Sequence, residues 1–133
     1  MNVVGALFIK DNKLLLNKPR KRNIYQLIAG KIEDGETPFE AMCREASEEL
    51  IGVILKNECF EQILEFDEIA SSDGVTNIHY YLFKYNGVFD GKLCSSSEIE
   101  SFLWYDTSIS NYEFSPSLNH VIFPYCREMK LIK

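Results

Sequence analysis

"GKIEDGETPFEAMCREASEELIGV", residues 30–53, holds the signals on which the fold of this chain turns. Thr37 is a good N-cap, Pro38 suits the first helical position, and Glu40 completes a T-x-x-E capping box. A helix is therefore predicted from Pro38 onward, and Gly52 can end it. At ~100° per residue, Phe39, Met42, Cys43, Ala46 and Leu50 fall within one arc of about 100°. Glu45, Glu48 and Glu49 fall within a second arc of about 100°, facing well away from the first, with Ala41 among them adding no bulk. One face is built to pack and the other concentrates negative charge. Like charges one turn apart cost a helix about 0.2–0.5 kcal/mol per pair, so the crowding calls for a counter-charge.

Outward from the helix the pattern changes to strands. Residues 2–9 and 13–16 are apolar runs around the turn-like "KDNK" and read as a hairpin. "ILKNECFEQILEF" over 54–66, "NIHYYLFKYNG" over 77–87 and "IESFLWYD" over 99–106 read as three further strands. In the second of these, Tyr80, Leu82 and Lys84 alternate with His79, Tyr81 and Phe83, so both faces are expected to be largely covered. "SPSLNHVIFPYCREMK" opens with Ser115 and Pro116 as the cap and first turn of a helix, which Pro124 should kink or interrupt. Strands not separated by regular helices argue for a mixed α+β chain rather than a simple doubly wound sheet.

The 133 residues suffice for one domain with a real core and are read as a single unit over 1–133. Hydrophobic residues at 46% and charged residues at 26% give the balance of a soluble globular protein. No apolar run approaches the roughly 18 residues of a membrane span. "MNVVGALFIKDNKLLL" has no basic leader and no small-residue cleavage site, and is not read as a signal peptide. Cys43, Cys59, Cys94 and Cys126 are scattered with no CxxC pair, which fits reduced, mostly buried thiols and a cytoplasmic setting. A net charge of −6 argues against a stable complex with nucleic acid. "KPRKR", residues 18–22, is a local basic cluster ahead of the acidic stretch, fitting either a solvated loop or a partner for phosphate.

Taken together, the fixed positions are Gly30, then Glu36 after five residues, then Arg44-Glu45-Ala46-Ser47-Glu48-Glu49 after seven more. With each fixed residue at roughly 5–7% usage, a chance match is of order one in a hundred thousand or rarer. This pattern resembles the Nudix box, G-x5-E-x7-R-E-U-x-E-E-x-G-U with U apolar, and "GKIEDGETP" is especially similar to the MutT-like members of the Nudix hydrolases. "LLLNKP", "HYYLFK" and "SSEIESFLW" extend the resemblance to about residue 106. Two departures stand out. Glycine closes the box at Gly52 rather than at the position of Ile51, and Ile28-Ala29-Gly30 stands where the family often has Pro-Gly-Gly.

The resemblance implies an α/β/α sandwich with a mixed sheet between helices, and hydrolysis of a diphosphate bond in a nucleoside diphosphate linked to a group X. It implies Mg²⁺, with Mn²⁺ as a substitute, held by Glu45, Glu48, Glu49, Glu98 and the Ala29 carbonyl. Hard cations of this kind take oxygen ligands and bridge to phosphates, and such a metal would remove the repulsion among the glutamates. Glu45 and Glu98 are both candidates for the base that takes a proton from water. Arg44 is expected to orient a box carboxylate, or else to be an exposed partner of Glu40 or Glu48. Glu36 is expected to hold the loop-to-helix junction, with Gly30 letting the loop turn tightly against the helix.

Lys18 and Lys31 are candidates for substrate phosphates, and Tyr25, Tyr81, Phe83 and Trp104 for a base, although such aromatics are more often core. Glu100 reads as an ordinary exposed strand residue. "NYEFSPSL" lacks the paired aspartates with which oxidised-purine diphosphatases of animal cells read a base. "EFDEIASSDG" lacks the proline of the ADP-ribose branch, and the longer motif of the NADH branch is missing as well. A small (d)NTP pyrophosphohydrolase, monomer or homodimer, is left by elimination. A Nudix domain that binds a nucleotide as a regulator without turnover is the alternative.

Overall fold

Asp11 and Asn12 both take left-handed backbone, with φ of 53° and 58°, as a two-residue hairpin turn requires. That turn joins β2 (Ile9–Lys10) to β3 (Lys13–Pro19), so the hairpin is confined to these two strands. The run before it, β1 (Asn2–Leu7), does not pair with β3 as the hairpin reading expected. It lies instead between β4 (Gln26–Lys31), antiparallel, and β7 (Asn77–Tyr85), parallel. The computed structural model describes residues 1–70 and 73–133. The stretch read for a branch-specific proline, residues 65–74, thus falls partly outside the described residues.

Beyond β4 the chain forms α1 (Pro38–Glu49) and a short β5 (Val53–Ile54), which pairs with β8 (Asp90–Gly91). The strand expected over 54–66 starts later, as β6 (Phe60–Ile69), because a 3-10 turn at Asn57–Cys59 precedes it. The last strand, β9 (Ile99–Tyr105), runs antiparallel to β3. The main sheet is ordered β2-β3-β4-β1-β7-β6, with β9 also on β3. It is mixed because β1–β7 is parallel. The C-terminal segment winds through a π turn at Leu118–Ile122 into α2 (Phe123–Glu128). The disturbance expected at Pro124 takes that form: Phe123 bonds back to Leu118, one residue further than in an α-helix.

Alternation along the strands builds two cores. Val4, Ala6, Phe8, Leu15, Ile28 and Phe83 face α1, meeting Ala41, Met42, Ala46 and Leu50. Leu7, Leu14, Leu16, Leu27, Tyr80 and Leu82 face the C-terminal helix, meeting Leu118, Ile122, Phe123 and Cys126. The sheet is therefore covered on both sides, as the sandwich expectation required. Among the described residues no helix is long and apolar enough to cross a membrane. All four cysteines are free, but only Cys126 is buried; Cys43 and Cys59 are half-buried and Cys94 is exposed.

Helix α1 is capped as its sequence predicts. Thr37 Oγ1 accepts the Glu40 N–H at 3.1 Å, and Glu40 Oε1 accepts the Thr37 N–H at 2.9 Å. Its end is different. The helix stops at Glu49, with Leu50 as its cap, and Gly52 does not take left-handed backbone. Gly52 is needed for a close approach instead, since a Cβ there would overlap the Lys92 carbonyl where β5 meets β8. Its own carbonyl accepts the Lys92 N–H at 3.0 Å.

The buried arc of α1 also departs from expectation. Phe39 is 42% exposed, whereas Ala41, placed among the glutamates, is fully buried. At ~100° per residue, the arc from Ala41 to Leu50 that faces the sheet spans about 180° and has Glu49 near its middle. The acidic and packing faces overlap.

On the opposite edge, His79 of β7 sits between Asp67 Oδ1 and Glu65 Oε2 of β6, each at 2.9 Å. Asp67 first, then Glu65, raises its pKa above the usual 6.5. A raised imidazole contributes stability fully below the unfolded value and loses it as pH rises through the folded one. The melting-temperature advantage of wild type over His79→Gln should therefore shrink between about pH 6 and pH 8. A pH-independent gap would contradict this.

Candidate active site

Strand β4 and helix α1 are brought together by a missing side chain. A Cβ on Gly30 would overlap the carboxyl group of Glu45. Glycine lets that carboxyl lie directly against the strand backbone beside Ala29. Gly30→Ala should leave the fold standing yet cut turnover about 10²-fold, the loss expected from displacing a reacting group by about 1 Å. Circular dichroism with steady-state kinetics checks it, and an unchanged kcat would sink the assignment.

Arg44 ties the loop to the helix. Its Nε and Nη2 donate to the two Glu36 carboxylate oxygens at 2.7 and 2.9 Å, a bidentate pair. Nη1 donates to Glu45 Oε1 at 2.9 Å and reaches Glu48 at 3.4 Å, while Nη2 also donates to the Lys31 carbonyl at 3.0 Å. Glu33 lies 3.6 Å from Nη1. The Glu36 carboxyl is held at about 2 by Arg44 and by the Glu33 backbone N–H. Glu45 is raised by burial, against the pull of Arg44 and with a push from Glu48 and Glu98.

Glu49 is the most deeply placed carboxylate. Burial pushes its pKa well above the usual range, Glu45 adds to the rise, and the Ala29 backbone and Asn17 only partly oppose it. Oε1 accepts a hydrogen bond from Asn17 Nδ2 at 2.8 Å. Oε2 is buried with no hydrogen-bond partner, and so is Asn17 Oδ1. Buried polar atoms are nearly always paired, which makes these two atoms exceptional.

Glu45, Glu48, Glu49 and Glu98 line one cavity of about 140 Å³, together with Ala29, Gln26, Pro19, Ser96 and Ile99. Four carboxylates in one lining, one of them with an orphaned oxygen, form a donor set that fits a hard divalent cation. As the side chains stand, no three carboxylate, histidine or cysteine groups among the described residues come within joint ligating reach. In this arrangement Arg44 engages both Glu45 and Glu48.

The basic cluster at 18–22 is not simply a solvated loop. The Arg20 N–H donates to the Glu98 carbonyl at 2.9 Å, and Arg20 Nε donates to the Ser96 carbonyl at 2.7 Å. Ser96 Oγ in turn accepts from the Ile99 N–H at 3.0 Å. Lys18 is paired with Glu100 at 2.6 Å, which gives Glu100 a partner that its reading as an ordinary exposed strand residue did not provide.

A second cavity of about 380 Å³ shares Gln26 and Ala29 with the first. Lys31, Tyr80, Glu68 and Ser117 are among its lining residues. The aromatic candidates Tyr25, Tyr81 and Trp104 line neither cavity. Trp104 meets Phe89 edge-on at 5.2 Å, Tyr81 meets His79 at 4.8 Å, and Tyr25 meets Tyr112 at 5.0 Å. Phe83 is core.

Asn17, Gln26 and Ser96 were not singled out by sequence reasoning, and Arg20 was reached only as part of the basic cluster at 18–22. Of the first three, Asn17 carried a signal, as a polar residue ending the apolar run "LLLN".

The NUDIX domain family matches residues 1–113. No curated protein matches the chain. Among solved structures, the MutT NUDIX hydrolase from Burkholderia pseudomallei superposes with a TM-score of 0.72 at 20% identity, over 89% of this chain and 92% of that one. The E. coli ORF135 protein gives a TM-score of 0.69 at 23% identity, over 97% of this chain and 91% of that one. A bifunctional NMN adenylyltransferase/ADP ribose pyrophosphatase from Francisella tularensis, complexed with AMP and a Mn ion, gives 0.67 at 21% identity, over 96% of this chain and 41% of that one. The Nudix resemblance read from the sequence agrees with the family match, and these neighbours share its fold. Its box, its sandwich and the match over residues 1–113 lead to one conclusion: this chain belongs to the NUDIX domain family.

Proposed function

We propose that this chain hydrolyses a diphosphate bond in a nucleoside diphosphate linked to a group X, using Mg²⁺, with Mn²⁺ able to replace it. The substrate class favoured is a (d)NTP, split into nucleoside monophosphate and pyrophosphate. The observation that carries this reading is the convergence of four glutamates on one small cavity, one of which, Glu49, has a buried oxygen with no partner. The proposed ligands are Glu45, Glu48, Glu49, Glu98 and the Ala29 carbonyl. A bound divalent cation supplies Lewis-acid stabilisation of phosphate oxygens and a more acidic water.

The chain's own residues supply orientation and the base. Gly30 admits the Glu45 carboxyl to the strand backbone, and Arg44 fixes Glu36 and Glu45. Glu98 is the better placed base of the two candidates. Its carboxylate makes no hydrogen bond among the described residues, whereas Arg44 already engages Glu45. The larger cavity is of a size to take a nucleoside. Because it shares Gln26 and Ala29 with the glutamate cavity, a nucleoside held there carries its phosphates toward the carboxylates. Lys31, at its lining, is the proposed phosphate contact; Lys18 is committed to Glu100. Gln26 and Tyr80 replace Tyr25, Tyr81 and Trp104 as proposed nucleoside contacts. Residues 1–133 are proposed to act as one catalytic domain, as monomer or homodimer.

The test is pyrophosphate and phosphate release with Mg²⁺ or Mn²⁺, run beside Glu49→Gln. The nucleotide panel holds common and oxidised dNTPs, NTPs, ADP-ribose, dinucleoside polyphosphates and NADH. Turnover that the substitution removes supports the reading, and the substrate identifies the branch. A nucleotide that raises the melting temperature without being hydrolysed would replace it with a nucleotide-binding regulator.

A further inference from the structure

We propose that Asn17 is a positioning residue for Glu49, fixing which carboxylate oxygen is offered to the cation; this rests on the metal-dependent reading above. Asn17 lies on β3 in the run Leu14-Leu15-Leu16-Asn17, on the side facing α1, and is fully buried. It is the one polar side chain that is fully buried among the described residues. An unsatisfied buried polar group is costly, and a leucine at this position would carry none. The amide nevertheless leaves its own Oδ1 unpartnered in order to make one bond, Nδ2 to Glu49 Oε1 at 2.8 Å.

That one bond has a specific consequence. With Oε1 occupied, Oε2 is the Glu49 oxygen left open, and Glu49 lines the glutamate cavity. The reverse amide orientation would set Oδ1 against a carboxylate oxygen, two acceptors with no hydrogen between them. The chemistry of the holder matters too. Arg44 grips its carboxylates with a full positive charge, which competes with a cation. An uncharged amide orients Glu49 while leaving its negative charge for a cation to neutralise.

Strand β3 ends at Pro19, which lines the same cavity, and Arg20, just beyond it, holds the backbone carbonyls of Glu98 and Ser96. One segment, residues 17–20, thus bonds the Glu49 side chain and the backbone that carries Glu98.

The test is Mn²⁺ binding to the full chain, followed by electron paramagnetic resonance of free Mn²⁺, for wild type, Glu49→Gln and Asn17→Leu. Metal-free melting temperatures are measured alongside. Asn17→Leu should bind Mn²⁺ about 10–100-fold more weakly; its metal-free melting temperature balances one orphaned oxygen removed, Asn17 Oδ1, against one created, Glu49 Oε1. A purely structural role would show a changed melting temperature and unchanged affinity. If Asn17→Leu binds Mn²⁺ as wild type does while Glu49→Gln does not, the Asn17 proposal fails and the metal reading stands. If wild type itself shows no Glu49-dependent Mn²⁺ binding, the metal reading fails and takes this one with it. Should the leucine variant not fold, Asn17→Thr, whose hydroxyl sits one atom nearer the backbone than the amide, is expected to weaken Mn²⁺ binding in the same way. Wild-type affinity in the threonine variant overturns the proposal.

Discussion

Glu49→Gln is expected to lower kcat about 10³-fold, equivalent to about 4 kcal/mol of transition-state stabilisation, as befits loss of a ligand to a cation that stabilises phosphoryl charge. The same substitution should raise the melting temperature of the metal-free protein. Both effects follow from one position. Glu49 sits near the middle of the sheet-facing arc of α1, its Oε2 has no partner, and burial together with the neighbouring Glu45 disfavours its charge. A glutamine of the same shape removes the buried charge and keeps an acceptor for Asn17 Nδ2. Stability and activity should therefore move in opposite directions. Thermal melts without metal and turnover with saturating Mg²⁺, on the same preparations, check the pair. A variant that is both less stable and inactive would show that Glu49 is a structural residue instead.

Arg44→Ala should act the other way on stability. One guanidinium bonds Glu36 twice and Glu45 once, touches Glu48, and holds the Lys31 carbonyl. Its removal leaves Glu36, Glu45 and Glu48 facing one another without compensation. The expected fall in melting temperature is roughly 5–10 °C, the size for a half-buried charged network that loses its cation. Added Mg²⁺ should recover more of that loss than it adds to wild type, because a divalent cation replaces the missing positive charge. Arg44→Lys should recover little, since a point charge cannot span Glu36 and Glu45 at once. The Glu36 contribution also sets a pH window. Its carboxyl is depressed to about 2, so the stabilisation is present above the usual 4.5 and is lost as pH falls toward 2. Equal Mg²⁺ effects on wild type and Arg44→Ala would count against a shared site.

Much of this was legible in the chain. The capping box at Thr37 and Glu40 works as written because it is a local device, closed within one turn. The alternation in "HYYLFK" marked a strand covered on both faces, and β7 is one. The pairing of β1 was misjudged for the opposite reason. Its partners are Gly30 and Ala29 on one side and Tyr81 and Leu82 on the other, far along the chain. A turn signal at "KDNK" favours the local hairpin, and nothing in a single sequence weighs it against a parallel partner some 75 residues away.

The sequence by itself determined the helix, its start, the Gly30–Glu36–Arg44 spacing and the identity of the clustered glutamates. Those are set by short-range chemistry: caps, period and charge repulsion along one element. Only the tertiary structure decided what each glutamate does. Periodicity placed Glu45, Glu48 and Glu49 on one exposed arc, yet Glu48 is more than half exposed while Glu49 is half-buried, with its Oε2 shut off from solvent. The difference comes from what α1 lies against. Gly30 leaves room for one carboxyl and Asn17 bonds another, and both stand on strands whose position beside the helix no helical pattern encodes. Burial belongs to the contact between elements, so the same residue type becomes an exposed partner of Arg44 at Glu48 and, one position on, a carboxylate with one oxygen bonded by Asn17 and the other buried without a partner at Glu49.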